Sequence, residues 1–226
     1  MRDFSYISAL LAIALLGSLG AQADSFTYNF DPTNTFSGTA PAGSLTATFS
    51  DLAANEVQLV ITSNLASGEN LDPNKALYLN IDPAHSALLS TLGFALTANT
   101  GFSEAATVMT GEDAFKADGT GGNYDILFTY APATKAFTNG ESQTYLITGT
   151  GLNADDFQFL SSGGSPSWYA AVHVQNTPAG GAGSAWVGGT ITATPEPSSI
   201  VFLLFSSTLI GYVGLRRRRN AAPGRM

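Results

Sequence analysis

The sequence of 226 residues contains no cysteine and only two histidines, so several kinds of site are excluded at once. Without cysteine there are no disulfide bonds, no thiolate zinc centres and no cysteine nucleophiles. Charged residues make up only 12% of the chain, about half the usual share. Hydrophobic residues make up 44%, which is typical of a chain that folds around a core.

Basic residues are scarce and unevenly distributed. The chain has 9 basic and 17 acidic residues, for a formal net charge of −8. Residues 24–193 hold 15 of the acids but only three bases, Lys75, Lys116 and Lys135. Such an acidic chain does not suit binding to nucleic acid, whose phosphates require a basic surface. Because the two ends differ in composition from this middle region, we interpret them separately, as targeting segments.

Residues 1–23 have the pattern of a secretory signal peptide. Arg2 provides a short basic start, residues 7–16 form an apolar run, and Ala21-Gln22-Ala23 has the small residues of a cleavage site. The apolar run is too short to cross a bilayer, which requires about 20 residues. The pattern predicts cleavage after Ala23 and export of the rest of the chain, with an uncleaved or buried helix as the alternative.

The C-terminal end has three parts in sequence. Pro195, Glu196 and Pro197 come first, an uncharged apolar segment at residues 199–215 follows, and a cluster of basic side chains ends it, namely Arg216, Arg217, Arg218 and Arg219. As a helix the segment is roughly 24–27 Å long, which spans a bilayer core when arginine side chains extend to the interface. The arginines and the tail at 220–226 would then be cytoplasmic. A buried core helix with a basic surface tail is the alternative.

This arrangement at residues 194–219 resembles the PEP-CTERM sorting signal of bacteria that make exopolysaccharide. The resemblance implies recognition by an exosortase, a membrane-bound transpeptidase-like enzyme. The enzyme would cut at or near the motif and release the protein or transfer it to the cell surface. On this interpretation the chain is the substrate of an enzyme, and its membrane helix is a precursor stage. A single-span protein that is never processed is the alternative.

The middle region, residues 24–193, predicts one all-β domain. Segments with alternating polar and apolar residues are separated by turns rich in glycine, asparagine, aspartate and proline. These segments are residues 25–30, 44–49, 56–62, 76–81, 124–130, 143–148, 156–160, 167–175 and 185–192. Residues 88–98 fit either a helix or a strand. Many short strands without intervening helices favour an antiparallel β-sandwich or jelly roll.

One stretch of the middle region suits a metal ion. Asp118, Asn123 and Asp125 surround a glycine-rich segment and offer oxygen ligands of the kind that calcium prefers. The same residue types are also typical of a plain turn, which is the favoured interpretation. Apart from calcium, no cofactor is predicted.

Enzymatic motifs are not evident. No serine has glycine two positions before and two positions after it, so the nucleophile elbow is absent. His85 follows an Asp-Pro turn and is interpreted as a surface residue, and His173 as a structural or surface residue of a strand. Adjacent acids such as Asp155-Asp156 point to opposite faces of a strand. The sequence therefore predicts a protein that is not an enzyme, with a secreted hydrolase as the less favoured alternative.

Aromatic residues suggest sugar binding as a further alternative. Alternation over residues 167–175 places Trp168 on the core face and Tyr169 on the opposite, more polar face. Tyr169 and Trp186 are the candidates for stacking against a sugar, although β-sandwich cores also bury aromatic residues. The sequence thus predicts a structural or interaction protein of the cell surface or exopolysaccharide matrix, with a carbohydrate-binding module as the alternative. Its expected partners are an exosortase, the membrane and extracellular polysaccharide.

Overall fold

The computed structural model of the chain describes residues 24–118, 120–131, 133–178 and 183–193. Twelve strands lie in these residues, and every pairing between them is antiparallel. They are β1 Ser25–Phe30, β2 Thr35–Gly38, β3 Ser44–Ala53, β4 Glu56–Asn64, β5 Asn70–Leu71, β6 Leu77–Leu79, β7 Gly93–Thr100, β8 Thr107–Lys116, β9 Asn123–Thr129, β10 Ser142–Thr148, β11 Ala170–Thr177 and β12 Gly183–Ala193. Three 3₁₀ helices accompany them, at Pro32–Asn34, Pro83–Ser90 and Ala154–Phe157. The prediction of an antiparallel all-β domain is confirmed.

The predicted signal peptide, sorting motif, transmembrane helix and arginine cluster lie outside the described residues. Within the part of the chain that the structure describes, no helix has the length and apolar character needed to cross a bilayer.

The strands form one hydrogen-bonded sheet, in which ten of them follow the order β7-β10-β4-β3-β1-β12-β11-β6-β9-β8, while β2 pairs with β12 and β5 with β11. The two layers expected of a sandwich are joined through β12. Its residues Gly183–Gly189 pair with β11, and its residues Thr190–Ala193 pair with β1. β7, at one end of this order, and β9, the last strand but one at the other end, meet across the core, where Phe94 and Phe128 have ring centroids 5.5 Å apart. The sheet is therefore strongly curled.

The main core lies on the inner face of this sheet and is rich in aromatic residues. In β1, Phe26, Tyr28 and Phe30 are buried, while the residues between them are half-buried on the other face. Phe49 of β3 stacks on Phe26, with ring centroids 5.1 Å apart, and on Phe157, with centroids 4.7 Å apart. The 3₁₀ helix Ala154–Phe157 is thereby anchored to β1 and β3.

A second apolar cluster lies on the outer face, over β6, β9, β11 and β12. Its buried members are Tyr78, Ala117, Tyr124, Leu127, Ala171 and Trp186, with Phe36 and Phe115 packed against them. We call it the outer cluster. This cluster explains why β9 is buried on both faces. From the sequence pattern we expected buried and exposed residues to alternate along this strand.

Several segments differ from the sequence prediction, which also lacked the short strands β2 and β5. Residues 156–160 were expected to be a strand, but Ala154–Phe157 is a 3₁₀ helix, because the Asp156 carboxylate accepts the Asn153 N–H and stabilises its first turn. The strand β8 was not predicted at all. Its register shifts between Thr110 and Phe115, and Asp113 has a positive φ of 51°, so its side chains do not alternate regularly.

Candidate functional site

His85 and two aspartates form a compact group at one end of the fold. Asp82 precedes the 3₁₀ helix Pro83–Ser90, and its Oδ1 accepts the Ala84 N–H at 2.8 Å, which is a capping arrangement. His85 lies in the first turn of this helix, and its Nδ1 is 2.6 Å from Oδ1 of Asp156. One ligand atom from each of Asp82, His85 and Asp156 lies within 4.8 Å of the others. We call these three residues the Asp-His-Asp group.

The backbone holds this group in place. The Asp82 N–H donates to the Asp156 carbonyl at 2.7 Å, which joins the two segments directly. The Asp156 carboxylate accepts the Asn153 N–H through Oδ2, leaving Oδ1 directed at His85. The side chain of Asp156 is 4% exposed and that of His85 is 45% exposed, so the group is closed on one side and open to solvent on the other.

Negative charge accumulates around the Asp-His-Asp group. Burial and the nearby carboxylates of Asp24 and Asp51 raise the pKa of Asp155 above its ordinary value, with a smaller contribution from Asp156. Asp51 is fixed there because its Oδ1 accepts the Ala154 N–H at 2.7 Å. A cation bound at this end of the fold would therefore relieve repulsion between carboxylates.

His173 forms the second pair, with Asp72. Its Nδ1 lies 3.0 Å from Asp72 Oδ2, and its ring stacks on Trp186 with centroids 4.6 Å apart. Burial lowers the pKa of His173 below its ordinary value of 6.5, and this outweighs the opposite effect of Asp72. The ring is therefore neutral at pH 7 and packs against Trp186 of the outer cluster. The sequence analysis interpreted His173 as a structural or surface residue, and in the structure its ring packs on Trp186.

A cavity of about 340 Å³ opens beside this pair and is lined by Lys75, Lys116, Ala117, Asp118 and Trp186. Two of the three lysines of residues 24–193 thus lie at one place on an otherwise acidic domain. Trp186 is only 5% exposed, so a ligand in this cavity would meet the charged side chains first.

The assignment of Trp168 and Tyr169 to faces was wrong. Tyr169 packs against the main core and stacks on Tyr28 with centroids 6.4 Å apart, whereas Trp168 stacks on Phe36 at 6.2 Å beside the outer cluster. The alternation does not extend to these residues because β11 begins only at Ala170, after a bend at Tyr169. Of the two sugar-stacking candidates, Trp186 borders a cavity and Tyr169 is packed on the core.

The calcium candidates are already engaged by other groups. Asp118 Oδ2 accepts the Ser37 hydroxyl at 2.7 Å. Asp125 is buried, and its two oxygens accept the N–H groups of Ile81 at 3.0 Å and Asp113 at 2.8 Å. Asn123 pairs through its backbone with Ser162. Calcium at these residues remains a prediction, and binding there would compete with the hydrogen bonds that Asp125 already makes.

The sequence analysis did not find the aspartate partners of the two histidines. The Asp82-Pro83-Ala84-His85 spacing is a local signal, because a capping aspartate and a residue three positions later meet in one turn. Asp156 lies 71 positions from His85, and Asp72 lies 101 positions from His173. No local pattern connects residues so far apart in the chain, so only the fold brings them together.

Comparison with known proteins gives one match. Residues 193–219 match the family model of the PEP-CTERM protein-sorting motif, which confirms the resemblance found in the sequence. The motif supports an exported protein that is directed to an exosortase and processed at the cell envelope. Searches of the curated proteins and of the solved structures each found no match.

Proposed function

We propose that this chain is cut by an exosortase at or near the motif Pro195-Glu196-Pro197 and then acts at the cell surface or in the polysaccharide matrix. Its role there is structural or that of a binding protein, and it is not an enzyme. The observation that carries the proposal is the PEP-CTERM match at residues 193–219. Export by a signal peptide ending at Ala23 is part of the proposal.

The position at which β12 ends supports cleavage at the sorting motif. β12 ends at Ala193, where the match begins, and Pro195 lacks the N–H that a longer β-ladder would need. Cleavage at the motif would therefore remove none of the twelve described strands. The domain released in this way carries 15 acidic and three basic residues, which favours solubility outside the cell.

The processing step is tested by the intact mass of the protein recovered from the native host. The wild type is expected to yield a product that begins at Asp24 and ends near Pro195. The Glu196→Ala variant, which changes the sorting motif and no described residue, is expected to retain the chain to Met226. A host strain without exosortase is the control and should also retain it. Full-length protein in the wild type would overturn the proposed processing.

Carbohydrate binding is a second candidate function, favoured by the cavity beside Trp186. Lys75 and Lys116 place two ammonium groups at its rim, and Asp118 adds a carboxylate that can accept from sugar hydroxyls. Hydrogen bonds between ammonium and carboxylate groups are among the stronger ones in proteins. The cavity therefore suits an acidic sugar, such as a uronate residue, better than a neutral one.

An acidic-glycan array tests this candidate with a variant in which Lys75 and Lys116 are both replaced by alanine. Because a hydrogen bond to a charged group contributes about 1.5–3 kcal/mol, the double variant should bind at least about 10-fold more weakly. Lys135→Ala is the matched control, since Lys135 is exposed and does not line the cavity. Equal loss in the control would indicate non-specific attraction, and no binding by the wild type would eliminate this candidate.

A further inference from the structure

We propose that Asp82, His85 and Asp156 bind a divalent first-row transition-metal ion, of which zinc is the simplest example. The ligand set contains one imidazole nitrogen and two carboxylates. Imidazole is preferred by zinc, nickel, copper and iron, whereas calcium and magnesium prefer oxygen ligands alone. This site is distinct from the cavity beside Trp186 and does not depend on the proposed sorting function.

The distances already approach those of a metal centre. Two ligands of a tetrahedral zinc ion, each about 2.0–2.1 Å from the metal, lie about 3.3 Å apart. Nδ1 of His85 and Oδ1 of Asp156 are 2.6 Å apart, so they would have to separate by only about 0.7 Å. A metal ion would take the place of the hydrogen bond between these two atoms. The half-exposed ring of His85 has room for this movement.

Asp82 supplies the third ligand. Its Oδ1 accepts the Ala84 N–H. A carboxylate has two oxygens, so Oδ2 can bind a metal while the cap remains in place. The link between the Asp82 N–H and the Asp156 carbonyl fixes the separation of the two carboxylates before any ion arrives. Such preorganisation lowers the loss of conformational entropy on binding.

The surroundings favour a cation. Asp156 has most of its surface buried, and Asp155 and Asp51, whose Oδ1 accepts the Ala154 N–H, add further carboxylates near it. A divalent ion compensates this charge, and its remaining coordination positions would face solvent on the exposed side of His85. The other histidine pair offers no such site among the described residues, since His173 and Asp72 lack a third ligand and the His173 ring is stacked on Trp186.

Calorimetric titration of the full chain with Zn²⁺, in detergent and after removal of metal by a chelator, tests the proposal. We expect one ion per chain with micromolar affinity. His85→Ala and Asp82→Asn should each weaken binding at least about 10-fold, as even changes to groups that only orient ligands do. Asparagine preserves the helix cap at position 82, so this variant keeps the fold. His173→Ala is the matched control and should bind zinc as the wild type does.

A second measurement needs no variant. The chain has only two histidines, so their Hε1 ring protons give two NMR signals that can be followed separately. Paramagnetic Co²⁺ at one equivalent should shift or broaden the signal of His85 and leave that of His173 unchanged. Equal broadening of both signals, absence of saturable heat, or an equal loss of affinity in His173→Ala would each overturn the proposal.

Discussion

Replacing Glu69 by alanine is expected to lower the free energy of unfolding by about 3–5 kcal/mol, because three backbone donors lose one shared acceptor. Glu69 is 2% exposed. Its carboxylate accepts the N–H groups of Ala42 at 2.6 Å, Gly43 at 3.1 Å and Ala66 at 2.9 Å. The side chain thus joins the segment before β3 to the segment after β4.

The size of this effect follows from what the substitution leaves behind. Each buried N–H without a partner costs about 1–3 kcal/mol, and water can replace the carboxylate only where the backbone is exposed, as at Ala42. Gly43 leaves little room for compensation, since a Cβ at this position would lie 2.3 Å from the nitrogen of Ala66. The two segments are therefore in close contact, and water has little access between them.

Urea denaturation measures the effect, with Glu141→Ala as the control. Glu141 is half-buried, and its carboxylate accepts a single backbone N–H, that of Thr138 at 2.7 Å. Loss of one partly exposed hydrogen bond should cost no more than about 1.5 kcal/mol. If both variants lost the same stability, the shared carboxylate of Glu69 would not be the source of the effect.

Replacing Phe49 by alanine is expected to lower the free energy of unfolding by about 3–5 kcal/mol, the usual cost of removing a buried phenylalanine ring. Phe49 has no exposed surface. Its ring contacts those of Phe26, Tyr28 and Phe157, with centroids 5.1, 5.6 and 4.7 Å away. The cavity left behind would lie between β1, β3 and the helix Ala154–Phe157, and all three are held by other contacts and cannot collapse fully.

Leu52→Ala on the same strand is the control for Phe49→Ala. Leu52 is 59% exposed, so its truncation removes little buried surface and should change stability by less than about 0.5 kcal/mol. Thermal and urea unfolding of the two variants give the comparison. A loss below about 1 kcal/mol for Phe49→Ala would mean that this aromatic cluster does not stabilise the fold as the packing indicates.

The success of sequence interpretation depended on how regular each segment is. The bounds predicted for β1 agree with the structure, because buried and half-buried residues alternate through Ser25–Phe30 without interruption. β8 was missed because a bulge and a positive φ at Asp113 interrupt its pattern. The faces of Trp168 and Tyr169 were reversed because a bend precedes Ala170.

The candidate sites likewise differ in whether their residues are contiguous in the sequence or meet only in the folded structure. The sorting signal was predictable because its features are contiguous in the chain and require no folding to be recognised. The Asp-His-Asp group was not predictable as a unit, since Asp156 meets His85 only through the fold. The cavity beside Trp186 likewise depends on packing, because Lys75, Lys116 and Trp186 come from three separate segments of the chain.

The position of β12 in the sheet determines how late in its export the protein can finish folding. This last strand is not at an edge: it lies in the interior of the sheet and pairs with β1, β2 and β11. The first and last strands are neighbours, so the sheet cannot be completed until the chain has left the translocation channel as far as Ala193. Until then the segments translocated earlier lack the strand that joins them. If the proposed membrane segment holds the chain at the envelope during this interval, the domain can complete its sheet before the proposed exosortase cut.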